Sequence, residues 1–214
     1  MEKPAAVDDQ ELFRREAMGA FSHEIRTPLT SIRMVLELAR REASGDSIVL
    51  DAELAGMLNT SVDDLQSLAD DLQESSRLER GRVLMSRGPC DLRAACEAAG
   101  ELLAPRIRME GHAPPALEGP WDAPHLVRAI AGLAESSNRA GDGTGSVRFQ
   151  ATAERRLVRL EFASGTPGGE PRGIAADAGF SFFRSRMFIL AMGGQLSWQR
   201  AERYFNITAD LPLD

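Results

Sequence analysis

The feature that most limits the possible folds is an apolar stripe of helical period near the start of the chain. Phe13, Ala17, Phe21, Ile25, Leu29, Ile32, Leu36 and Ala39 recur at intervals of four or three. That spacing keeps every one of them on one side of a single long helix. The helix is expected over residues 9–43, and Ser44, Gly45, Asp46 and Ser47 form a short breaker after it. A second stripe follows on Leu50, Leu54, Met57, Leu58, Val62, Leu65, Leu68 and Leu72, and predicts a helix over residues 49–79. So short a link makes the two helices an antiparallel hairpin. A lone hairpin leaves part of each stripe wet, and pairing two hairpins into a four-helix bundle covers it, so a homodimer is expected.

After Arg80 and Gly81 the pattern changes to mixed strands and helices. Short strands are expected at residues 83–85 and 107–109, and Asp91 should cap a helix over residues 92–103. Residues 111–124 read as a turn region and residues 125–139 as a helix. Alternation then predicts strands at 146–152 and 156–163, a loop over 164–179, a buried helix at 180–192 and a final hairpin of 195–200 with 204–211. The fold class is therefore α+β: a flexible tail (1–8), a helical hairpin (9–81) and an α/β two-layer sandwich (82–214).

Charge and composition narrow the function. Residues 1–80 carry seventeen acidic and nine basic groups, net −8, while the remainder is close to neutral. Nucleic-acid binding draws most of its affinity from basic surface, so that class is excluded. No apolar run approaches the roughly 20 residues that span a bilayer, and no charged-then-apolar leader opens the chain. A cytoplasmic protein with neither membrane insertion nor an export signal is expected. Cys90 and Cys96 fit no metal or redox spacing, and no metal site is expected.

The chemistry concentrates in Phe21-Ser22-His23-Glu24-Ile25-Arg26-Thr27-Pro28-Leu29-Thr30-Ser31. His23 lies about 200° around the helix from Phe21 and from Ile25, so its imidazole should face water. Thr27 is one turn further on the same face. Glu24 is positioned to accept a hydrogen bond from one ring nitrogen, which leaves the other free as a nucleophile. Pro28 lacks the N–H that the Glu24 carbonyl would otherwise receive, so the helix can bend there.

This run resembles the phosphoacceptor motif of sensor histidine kinases, in the dimerisation and histidine phosphotransfer domain of two-component systems. Leu68-Ala69-Asp70-Asp71-Leu72 and Ser76-Arg77-Leu78-Glu79-Arg80-Gly81 are similar to the end of that family's second helix. The resemblance implies that His23 accepts a phosphoryl group, with Glu24 as neighbouring base and Thr27 placing water or the partner's aspartate in the dephosphorylating direction. It also implies that Arg26, Thr30, Arg33, Met34 and Glu37 contact response-regulator receiver domains and choose among them.

The rest of the chain resembles the family's GHKL-type ATP-binding domain in order and length, with altered motifs. Gly132 and Ser136 stand where asparagines are expected, Glu135 is retained, Asn138 comes two places late, and Ala163 occupies the adenine-reading aspartate's position. Phe180 and Phe182 occupy the segment where glycines would cradle phosphates. On these substitutions the second domain reads as degenerate: ATP unlikely, no cofactor bound by this chain, and Mg²⁺ supplied by the partner receiver. The expected function is then that of a phosphotransfer protein similar to bacterial histidine phosphotransferases with a kinase-like fold, exchanging phosphoryl between His23 and receiver aspartates. An active ATP-dependent histidine kinase core is the alternative, and a non-catalytic pseudokinase scaffold for a regulator is a third reading.

Overall fold

A computed structural model describes residues 9–41, 50–81, 85–154, 156–167 and 178–214. The chain divides into two compact units, residues 1–74 and 75–214.

The first unit is a helical hairpin. Helix α1 (Asp9–Arg41) is unbroken through Pro28, and α2 (Ala52–Glu79) begins behind Asp51, whose carboxylate accepts from the Leu54 N–H at 2.8 Å. That bond satisfies one of the orphan donors of a first turn. On α1 the positions sealed within one chain are Ala20, Phe21, Pro28, Val35 and Ala39. Leu29 and Leu36, on the stripe read from the sequence, are instead 46% and 39% exposed, and Val62 on α2 is 51% exposed. A single hairpin covers only one edge of an apolar band that is too wide for it.

The second unit is a two-layer sandwich. Its sheet runs β2-β4-β5-β7-β6, with β2 (Arg108–His112) parallel to β4 (Ser146–Ala153) and all other neighbours antiparallel. Strands β5 (Leu157–Gly165) and β7 (Tyr204–Pro212) sit at the centre and β6 (Gln195–Ala201) at one edge. Alternation sends Val158, Leu160 and Phe162 of β5 and Phe205, Ile207, Ala209 and Leu211 of β7 into the helical layer. Helices α3 (Leu92–Leu103), α4 (Ala123–Ala140) and α5 (Phe180–Ala191) form that layer. Trp121 is buried with its indole N–H donating to the Pro212 carbonyl at 2.8 Å, while Trp198 packs edge-on against Phe182 with its far side open.

Two early elements differ from the sequence expectation. The first strand is β1 (Gly88–Asp91); of the predicted residues 83–85, the first two lie outside the described residues and Met85 is in no strand. The turn region 111–124 also holds a strand, β3 (Glu118–Trp121), which pairs only with β1. Both are four residues long with Pro89 opposite Pro120, so neither carries the period that marks a strand. Most of the loop expected over 164–179 lies outside the described residues.

Candidate functional site

His23 is exposed in the middle of α1, at the head of a shallow depression of about 300 Å³ lined by His23, Arg26, Thr27, Thr30 and Ser31. The helical repeat alone produces this grouping, since i, i+3, i+4 and i+7 share a face. Three hydroxyls around it are spent on their own helix: Ser22 donates to Met18 O at 2.7 Å, Thr30 to Arg26 O at 2.8 Å and Ser31 to Thr27 O at 3.3 Å. Thr27 makes no such bond among the described residues, so its hydroxyl remains available one turn from the imidazole. Glu24 is half-buried, and among the described residues no hydrogen bond joins its carboxylate to the His23 ring. Met34 is 49% exposed, Arg33 is exposed, and Glu37 is tied to Arg41 at 3.5 Å. His23, Arg26, Thr27, Thr30, Met34 and Glu37 thus continue one solvent-facing stripe, with Arg33 at its margin.

An exposed imidazole with a hydroxyl and a guanidinium on the same helical face is suited to covalent phosphoryl carriage. A ring nitrogen could act as nucleophile, Arg26 brings positive charge to the face, and the Thr27 hydroxyl could orient a polar group beside the ring.

In the second unit the altered motif positions have structural duties. Gly132 on α4 is buried so closely against α5 that a Cβ there would fall on Ser185 Oγ. Ser136 donates to the Gly132 carbonyl at 2.7 Å and its Oγ lies 3.1 Å from that of Ser181 on α5. Asn138 accepts from the Gly145 N–H at 2.8 Å and braces the turn after α4. Glu135 is half-buried, 3.9 Å from Arg139, and Ala163 is half-buried on β5. Phe180 and Phe182 are core residues of the first turn of α5.

Sequence reasoning missed a buried carboxylate at the other end of α4. Asp122 caps that helix through the His125 N–H, approaches His125 Nδ1 at 2.7 Å and accepts from the Ser86 N–H at 2.7 Å. Burial pushes the Asp122 carboxyl up, but its hydrogen bonds with His125 and Ser86 outweigh that and hold it below the usual range. An acid followed by Ala123-Pro124 is a helix-start signal that placed the boundary two residues earlier than the apolar period did.

Residues 13–81 match the His Kinase A (phospho-acceptor) domain. The chain is similar to the signal transduction histidine-protein kinase BaeS of Escherichia coli, at 31% identity over 170 residues. That match takes in 77% of this chain but only 35% of BaeS, so the chain spans about a third of the relative's length. Three solved structures share the fold. Histidine kinase AdeS of Acinetobacter baumannii superposes with a TM-score of 0.68 at 16% identity, covering 90% of this chain and 98% of that one. ThkA, solved in complex with the response regulator TrrA, gives 0.61 at 17% identity, covering 90% and 60%. ShkA, solved full-length with AMPPNP, gives 0.58 at 20% identity, covering 93% and 45%.

These findings correct one expectation. Absence of any cofactor, with ATP unlikely and Mg²⁺ left to the partner receiver, does not follow from the altered motif letters. The second unit has the architecture of histidine kinases, and ShkA within that likeness carries an ATP analogue. The physical reason is that phosphates are commonly held by backbone N–H groups and helix ends, so side-chain letters alone do not decide whether a nucleotide binds.

Proposed function

The chain belongs to the sensor histidine kinase family, and on that footing we propose that it is the ATP-dependent phosphoryl-transfer core of a two-component system. The observation that carries this reading is the exposed imidazole of His23 in the middle of a phospho-acceptor helix. ATP, when bound to the second unit, supplies the phosphoryl group. One ring nitrogen of His23 would accept the γ-phosphoryl group as its bond to the departing ADP oxygen breaks, and Glu24 would take the proton released from the other nitrogen. The N–P bond then breaks as a carboxylate oxygen of a receiver aspartate attacks in line. Arg26, Thr30, Arg33, Met34 and Glu37 form the surface on which that receiver settles, and Thr27 orients the water that hydrolyses the receiver's aspartyl phosphate to aspartate and inorganic phosphate. The open apolar band of Leu29, Leu36 and Val62 supports a homodimeric four-helix bundle. No described helix is long and apolar enough to cross a membrane. Receivers and ATP suit a cytoplasmic setting.

A second reading rests on the close α4–α5 packing at Gly132 and Ser136. In it His23 receives phosphoryl from one phosphorylated receiver and passes it to another, as in a phosphorelay. Incubation with γ-labelled ATP and Mg²⁺ separates the two. Label on the wild type but not on His23→Ala, passing onward to a receiver, supports the kinase. Label arriving only from a phosphorylated receiver supports the relay, and no label by either route leaves a scaffold.

A further inference from the structure

In the second unit an open cleft of about 630 Å³ lies between α3 and the edge strand β2. It lies on the β2 side of the sandwich, whereas the Ser136–Ser181 contact joins α4 to α5.

A missing side chain on α3 opens one wall of the cleft. Gly100 on α3 has nothing within 4 Å of a would-be Cβ, so the helix wall is notched there. Gly111 on β2 has φ +150°, and a Cβ would fall on the carbonyl oxygen of Phe149, its register partner on β4. Glycine is therefore required at position 111, because a side chain there would strike the β4 backbone. Phe149 makes the floor, Ile107 and Met109 line the strand side and Cys96 the helix side. Burial foremost, with Glu97 and Asp91 nearby, pushes the Cys96 thiol up to about 12, so it stays protonated and acts as apolar wall.

The rim is polar and unbalanced. Arg93, Arg108 and His112 face the cleft against one acid, Glu97, on a chain whose net charge is −7. Arg93 uses one nitrogen on the Ala113 carbonyl at 3.3 Å. Glu97 stands one turn along α3 from it, yet among the described residues no ion pair joins Arg93 or Arg108 to any carboxylate. An apolar trough with two uncompensated guanidinium groups at its mouth matches a ligand with an apolar body and one anionic head.

We propose that the α3–β2 cleft binds a small amphipathic carboxylate, its chain over Phe149 and its head between Arg93 and Arg108. The site is independent of phosphoryl transfer at His23.

Calorimetric titration of the full chain with decanoate, and with decanol as its uncharged counterpart, tests this. The wild type should bind decanoate saturably and decanol at least tenfold more weakly. Gly100→Leu, which fills the cleft and suits a helix better than glycine, should abolish binding while circular dichroism and thermal stability stay native. Arg108→Gln should weaken decanoate about tenfold and leave decanol unchanged. Absence of saturable decanoate binding, or undiminished binding by Gly100→Leu, overturns the site. Equal affinity for decanol and decanoate overturns the anionic ligand.

Discussion

Asp122 Oδ1 lies 2.7 Å from His125 Nδ1, inside a cap that also holds the Ser86 N–H, so one buried carboxylate ties the start of α4 to the segment before β1. Removing it as Asp122→Ala should cost about 1–2 kcal/mol, the usual loss for a helix cap. Because the folded-state carboxyl titrates below its unfolded value, its contribution is complete above about pH 4 and disappears as pH falls through the folded value. Urea unfolding from pH 7 to pH 2.5 should show wild type and Asp122→Ala converging at the acid end. Parallel curves would refute the linkage.

Gly132→Ala should destabilise, against the general rule that alanine improves a helix by about 1 kcal/mol over glycine. The new methyl meets Ser185 Oγ across the α4–α5 contact, and overpacking of this kind costs roughly 1–3 kcal/mol. Ser185 Oγ is buried without a hydrogen-bond partner, so Ser185→Ala alone should be neutral or stabilising. The double variant should recover most of the loss. Thermal melts of the three variants measure this, and a Gly132→Ala protein as stable as wild type would contradict it.

Leu36→Glu places a carboxylate in the exposed apolar band of α1. In the proposed bundle it would face the second copy, where an unpaired buried charge is strongly disfavoured. Light scattering should then report a wild-type dimer and a Leu36→Glu monomer. An unchanged mass would remove this face from the dimer contact.

Thr27→Ala deletes the hydroxyl that stands uncommitted beside His23. Acceptance of label by His23 should persist within about threefold, while dephosphorylation of a phosphorylated receiver should fall about 100-fold, the order seen when one positioning group is lost. A parallel fall in both rates would instead make Thr27 part of the forward step.

The hairpin was legible because helical period is a local property. Intervals of three and four fix which residues share a side, and the same arithmetic turned His23 away from Phe21 and Ile25. The paired strands β4–β5 and β6–β7 were legible through alternation, and α3 through its Asp91 cap. The chain alone could not tell which part of α1's apolar band one hairpin would seal, because Pro28 and Val35 against Leu29 and Leu36 is decided by where α2 lies. Nor could it reveal β1 and β3, whose pairing joins residues thirty apart without any period. The roles of Gly132 and Ser136 in the α4–α5 packing, and the trough beside Gly100, likewise exist only between elements. Sequence determines what each segment prefers by itself; contact between segments distant along the chain is settled only when packing brings them together.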